Sequence, residues 1–170
     1  SMSLSDDDIT ICSVYHSSVS KWLLELNYDA VKKMNPNVHA SWVVADNTPP
    51  NFADTLDKNK FKIVPGAQAL QPVAPWIVIS YSHAEAINNS LHYIKTRFAV
   101  VLDTDLYIVR KNWIQDVITH MRKNNLAFFG VPLHPFDFVK YRYFPSCRAF
   151  FIDRAHIDVS DIDFRPCFDW

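Results

Sequence analysis

Apolar positions along the chain alternate between short unbroken runs and stripes of helical period. Residues 9–15, Ile-Thr-Ile-Cys-Ser-Val-Tyr, read as a first strand, and His16-Ser17-Ser18 supplies a turn and a helix N-cap. Val19, Trp22, Leu23, Leu26, Ala30 and Met34 then recur at helical spacing and predict a helix that Asn35-Pro36-Asn37 stops. Residues 38–45 predict a second strand, closed by the dense turn signal Asp46-Asn47-Thr48-Pro49-Pro50. A short third strand is expected over 61–64, ended by Pro65-Gly66, and 67–76 reads as loop. A helix over about 75–95 follows, with Ala84, Ile87, Leu91 and Ile94 as its inward stripe.

That helix leads into Phe98-Ala99-Val100-Val101-Leu102-Asp103-Thr104-Asp105, an unbroken apolar run that ends in two carboxylates. A run without polar alternation is a strand covered on both faces, as in the middle of a parallel sheet. Asn112 is placed to cap the next helix, whose Ile114, Val117, Ile118 and Met121 face inward until Asn124-Asn125. A strand over 126–131, an aromatic and basic loop over 133–145, a last apolar run over 149–152 and an irregular acidic tail from Asp158 complete the chain. Strands alternating with helices predict an α/β fold with a mostly parallel central sheet.

Composition narrows the chemistry. At 170 residues the chain has the length of one domain, and we expect a flexible segment over 1–8 followed by a single domain over 9–170. The formal net charge of -1 gives no electrostatic footprint for nucleic acid. With only 2 Gly, at Gly66 and Gly130, dinucleotide fingerprints and P-loops are excluded. Three cysteines (Cys12, Cys147, Cys167) without paired spacing argue against a disulfide framework or structural zinc, and fit a reducing, cytoplasmic setting. No apolar run is long enough for a membrane span.

The Asp103-Thr104-Asp105 pair is the leading candidate for chemistry. Ligands in open α/β sheets bind beyond the carboxyl ends of strands. Residues i and i+2 of an extended chain share a side, and two carboxylates so placed favour a hard divalent cation, Mg²⁺ or Mn²⁺. The competing reading is a local turn, where Asp is common for its own hydrogen bonding.

Residues 9–15, Val43-Val44-Ala45-Asp46-Asn47-Thr48, Ser82-His83-Ala84-Glu85-Ala86-Ile87-Asn88 and Val100-Val101-Leu102-Asp103-Thr104-Asp105 resemble, in order and spacing, the landmarks of family 2 glycosyltransferases of the GT-A fold. The segment Tyr107-Ile108-Val109-Arg110-Lys111-Asn112-Trp113-Ile114 continues the resemblance, which spans roughly residues 9 to 157. It implies transfer of a sugar from a nucleotide-diphosphate-sugar donor to a saccharide or lipid-linked acceptor. It also implies Asp105 as the direct metal ligand and Asp103 at the donor ribose or the metal. Tyr15 would lie by the nucleotide base, Asp46 would read the base edge, and His83 and Asn88 would belong to the helix over the donor. His16, Ile87 and Ser90 depart from the family's usual Asn, Arg and Gly.

The family's general base lies after the last strand. Here Asp161, Asp163 and Asp169 are the late carboxylates considered, and Asp169, in Phe168-Asp169-Trp170, is the expected base of a C-terminal part read as incomplete. Tyr141, Arg142 and Tyr143 in the aromatic loop are the expected acceptor contacts, since aromatic faces and a guanidinium suit sugars and their phosphates. Each residue also has a plainer reading. Tyr15 could finish a core strand, Asp46 could make an Asp-Asn turn, His83 could open a helix and Asn88 could bond a neighbouring loop.

Two other functions stay open. A non-catalytic nucleotide-sugar-binding remnant would keep the same fold and metal site. Haloacid-dehalogenase-type phosphatases also end an apolar strand in Asp-x-Asp, but their motif usually opens the chain, whereas two strand-helix passages precede Asp103 here.

Overall fold

A computed structural model describes residues 8–16, 20–48, 55–67, 78–130 and 148–165 of the chain. In chain order these form β1 (Ile9–Tyr15), α1 (Ser20–Met34), β2 (Ser41–Asp46), β3 (Lys62–Pro65), α2 (Val78–Leu91), β4 (Phe98–Leu102), α3 (Trp113–Asn124), β5 (Phe128–Gly130) and β6 (Ala149–Asp153). A 3-10 turn over Val159–Asp161 follows.

The strands make one sheet in the order β3-β2-β1-β4-β6-β5. β1 runs parallel to β2 and β4, with Ile11 opposite Trp42 and Val100, and β2 runs parallel to β3. Only β6 opposes the rest, antiparallel to both β4 and β5. The expected mostly parallel α/β sheet is the one observed.

The unbroken apolar run of β4 is covered on both sides, and every residue of β1 and β6 is buried as well, Thr10, Ser13 and Asp153 included. Alternate residues of β1 serve different cores. Ile9, Ile11 and Tyr15 join Leu24 and Val31 of α1 and Trp113, Ile114 and Ile118 of α3. Cys12 and Val14 face the other way, onto Ala86, Ile87 and Leu91 of α2. Burying a side chain such as Leu24 or Ile114 contributes about 1.5–3 kcal/mol, so packing on the sheet supplies most of what holds these helices. The Cys12 thiol is free, and burial pushes its pKa up to about 12, as expected for an inert core thiol.

Several local expectations are corrected. The inward face of α1 is Leu24, Asn27 and Val31, while Trp22 and Leu26 are 58% and 50% exposed. The hydropathy stripe points to a different face because a polar residue, Asn27, occupies the centre of the buried one. Asn112 does not cap α3 with its side chain; it takes a left-handed conformation with φ 58°. Asn35, buried after α1, does that work by accepting the Ile114 N–H at 3.1 Å. Asn125 ends α3 in a left-handed cap, as the sequence predicts. β2 starts at Ser41 rather than at 38, β3 is shifted one residue to Lys62–Pro65, β5 shrinks to Phe128–Gly130 and α2 ends at Leu91. The loop over 133–145 lies outside the described residues.

Candidate functional site

The carboxyl ends of the parallel strands gather on one edge of the sheet. Tyr15 is level with Asp46, and Asp46 with Pro65. The order β3-β2-β1-β4 means that the chain winds outward from β1 on one side and then resumes on the other with β4. Ligands bind at such a switch point because loops from adjacent strands diverge and leave a crevice.

Asp103 is the first residue beyond β4, and its backbone is fully engaged. Its N–H donates to the Arg148 carbonyl at 2.8 Å, and its own carbonyl accepts from the Leu106 N–H at 3.3 Å. Asn27, on the buried face of α1, donates both amide hydrogens to this turn, to the Asp103 carbonyl at 3.1 Å and to the Leu106 carbonyl at 3.2 Å. The turn is therefore braced from inside the protein. The Asp103 side chain is partly exposed and the Asp105 side chain is exposed.

His83, on α2, faces Asp103 across the crevice, with Nε2 3.6 Å from Oδ1. Its Nδ1 lies 2.8 Å from Nε2 of His16, and the two rings stack with centroids 5.0 Å apart and planes 16° from parallel. The surrounding protein desolvates His16, and with His83 alongside its pKa falls below the ordinary imidazole value, Asp103 opposing in part. Two neutral rings satisfy this geometry when His16 donates from Nε2 to His83 Nδ1, which leaves the Nε2–H of His83 directed at Asp103.

Asp46 ends β2 and spends Oδ1 on its own turn, accepting from the Thr48 N–H at 2.9 Å and from the Thr48 hydroxyl. An open cavity of about 510 Å³ beside it is lined by Pro65, Gly66 and Ala67. Asn47 ties this corner together. Its N–H donates to the Tyr15 carbonyl at 2.9 Å, its amide donates to the Ser82 carbonyl and hydroxyl at 3.1 Å, and its Oδ1 accepts from Ala67 N–H at 2.7 Å.

The sequence-predicted residues divide on this geometry. His83 and Asp103 come together, Asp105 shares the same turn, and Asp46 lies at the same sheet edge. Tyr15 is completely buried; its place in the β1 alternation turns the ring into the core beneath α1 and α3, so it presents no open face to a base. Asn88 has both ends of its amide engaged, donating to Asp163 Oδ1 at 2.7 Å and accepting the Phe164 N–H at 2.9 Å. Tyr141, Arg142, Tyr143 and Asp169 lie outside the described residues. Hydropathy patterning does not mark His16, Asn27 and Asn47 as site residues. A polar residue at i+3 and i−4 from Leu24 and Val31 was the available signal for Asn27; His16 was visible only as a departure from the family pattern.

Among the described residues no group of three or more His, Cys, Asp and Glu could enclose a metal ion. No helix among them is long and apolar enough to cross a membrane.

Neither a protein-family model nor a curated protein matches the chain. Solved structures do. A mannosyltransferase, PcManGT from Pyrobaculum calidifontis in complex with GDP-Man and Mn²⁺, superposes with a TM-score of 0.57 at 12% identity, over 89% of this chain and 47% of that one. The galactosyltransferase LgtC, in complex with donor and acceptor sugar analogs, gives 0.58 at 10% identity, over 89% of this chain and 61% of that one. The 2-C-methyl-D-erythritol 4-phosphate cytidylyltransferase from Thermus thermophilus gives 0.51 at 12% identity, over 87% and 71%. The fold is that of the GT-A nucleotide-sugar transferases. The chain spans about half to three-fifths of the length of the two glycosyltransferases.

Proposed function

We propose that the chain binds a nucleotide-diphosphate sugar in the crevice between β1 and β4 and serves transfer of its sugar to an acceptor hydroxyl. The observation that carries this reading is the position of Asp103 and Asp105. They follow the buried central strand β4 at the switch point of a GT-A-like sheet, on a turn closed by the Leu106 N–H and braced from inside by Asn27 rather than on the extended backbone expected from the sequence.

Asp103 and Asp105 are the residues that would hold Mn²⁺ or Mg²⁺. Their oxygens are the hard donors such ions select, and two carboxylates suit a site completed by water and substrate phosphate rather than a cage built by protein alone. When bound, the cation supplies charge to offset that developing on the diphosphate leaving group. The chain's own residues orient the pair. Asn27 fixes the turn, and His83, backed by His16, faces Asp103 and limits its swing.

Asp46, with one oxygen held by Thr48 and a cavity beside it, is assigned to the edge of the base. Tyr15 acts from behind as the wall of that corner. Asn88 acts by tying the segment around Asp163 to α2. The acceptor contacts Tyr141, Arg142 and Tyr143 are assigned by the chemistry of their side chains, and the base Asp169 by family resemblance. An inverting displacement needs such a base to take the acceptor proton.

A second reading, a nucleotide-sugar-binding module without turnover, is favoured by Asp163. Arg165 grips both of its oxygens and holds its pKa well below the carboxylate range, which makes it a poor base.

A thermal-shift series with nucleoside diphosphates, with and without Mn²⁺, tests the central reading. Metal-dependent stabilisation is expected for the chain and its loss for Asp105→Ala. Stabilisation that survives Asp105→Ala would overturn the metal assignment. Release of nucleoside diphosphate from a sugar donor then separates the enzyme from the binding module.

A further inference from the structure

We propose that the sheet edge opposite the two aspartates carries a second binding site, for a phosphate-bearing organic ligand. A cavity of about 560 Å³ lies there, at the amino ends of the parallel strands, lined by Thr10 of β1, Ser41 of β2, Lys62 of β3 and Thr96 just before β4. Thr10 is level with Ala99, four steps along the chain from Asp103, about 13 Å at 3.3 Å per residue. No single ligand of the first site reaches it through the buried strand.

Lys32, Lys58, Lys60, Lys62 and Lys95 line the cavity, and among the described residues no Asp or Glu does. This is a large local excess in a chain of net charge -1 with 17 Lys and Arg in total. The fold assembles it from separate places: the last turn of α1, the approach to β3 and the turn between α2 and β4. None of the ion pairs among the described residues involves Lys32, Lys60, Lys62 or Lys95. Asp57, beside them in sequence, turns Oδ1 to the Asn59 N–H at 2.9 Å.

Aromatic faces hold the ammonium groups at the rim. Lys32 and Lys60 lie 5.5 and 5.2 Å from the Tyr28 ring centre, and Lys62 lies 5.7 Å from that of Tyr93. Like charges gathered on a concavity focus a positive potential into it, and an anion relieves their mutual repulsion. Lysine binds phosphate as a point charge. The volume exceeds that of a phosphate group, and Tyr28, Trp42 and Tyr93 offer apolar wall for an organic body. The ligand class is a phosphorylated molecule, free in solution or presented as a lipid headgroup.

Isothermal titration of inorganic pyrophosphate, with EDTA to keep the aspartates free of metal, tests the site. Saturable binding is expected, weaker by about ten-fold or more in K60E/K62E, reduced by salt and unchanged in Asp105→Ala. Lys60→Gln with Lys62→Gln removes the charges without reversing them, and serves if the reversed variant does not fold. Sedimentation with phosphatidylcholine vesicles containing phosphatidylglycerol separates the sources. Capture that pyrophosphate competes away assigns a headgroup, and pyrophosphate binding without capture assigns a soluble ligand; either supports the site. Absence of pyrophosphate binding to the unsubstituted chain, or equal binding by both lysine variants, overturns it.

Discussion

The amide of Asn27 donates to the carbonyl of Asp103 at 3.1 Å, so the first helix grips the turn that presents the two aspartates. The contact joins positions 76 residues apart in sequence. It links core packing directly to the site, because Asn27 lies among the buried residues of α1 that also include Leu24 and Val31.

Replacing Asn27 by Leu keeps the branched outline of the side chain but leaves the Asp103 and Leu106 carbonyls without this donor. A loss of about 1–3 kcal/mol in urea unfolding is expected, together with weaker Mn²⁺-dependent nucleotide binding. Binding that stays at its unsubstituted strength would show that the brace is structural only.

The His16/His83 stack predicts a pH dependence. The native pKa of His16 lies below its unfolded value. Its contribution to stability is therefore present above about pH 6.5 and lost as pH falls through the lowered native value. Urea midpoints between pH 7 and pH 5 should fall, and His16→Ala should flatten that fall. An equal slope in the variant would assign the titration elsewhere.

Gly66 is required by contact. A Cβ there would stand 2.1 Å from Asn47 Oδ1 and 2.3 Å from the Asp46 carbonyl oxygen, and the second of these is backbone. Gly66→Ala should cost about 1–3 kcal/mol by overpacking and disturb the Asn47 hydrogen bonds beside Asp46. Chemical denaturation measures the first effect. A variant as stable as the unsubstituted chain would contradict this packing.

Asp153, fully buried at the end of β6, accepts from Arg97 Nε at 3.0 Å and from Nη2 at 2.9 Å. Burial opposes its ionisation, but the Arg97 fork, the Ala155 N–H and His156 together hold its pKa below the carboxylate range. Asp153→Asn should destabilise by about 3 kcal/mol, at the low end for a broken buried pair because Arg97 is partly exposed. The carboxylate's contribution is present above about pH 3.9 and lost as pH falls through its lowered native value. The variant's acid-unfolding profile should lack that component; an unchanged profile would refute it.

The amino-acid sequence by itself determined the strands and the place of the aspartates. The run from Phe98 to Leu102 has no polar residue, so it must be covered on both faces, and charge appears where the strand emerges. Local chemistry also determined the stop at Asn125 and, within α2, the inward positions Ala84, Ile87 and Leu91. Tertiary structure alone decided which face of α1 is inside, because Asn27 gains its place from carbonyls far along the chain and hydropathy counts it as surface. It alone decided that Asn35 rather than Asn112 caps α3, and that His16 meets His83. The same holds for the lysines. Read along the chain they are scattered solvated charges; the parallel strands bring their neighbourhoods to one edge, where the sum of charges rather than any one motif creates the cavity's chemistry.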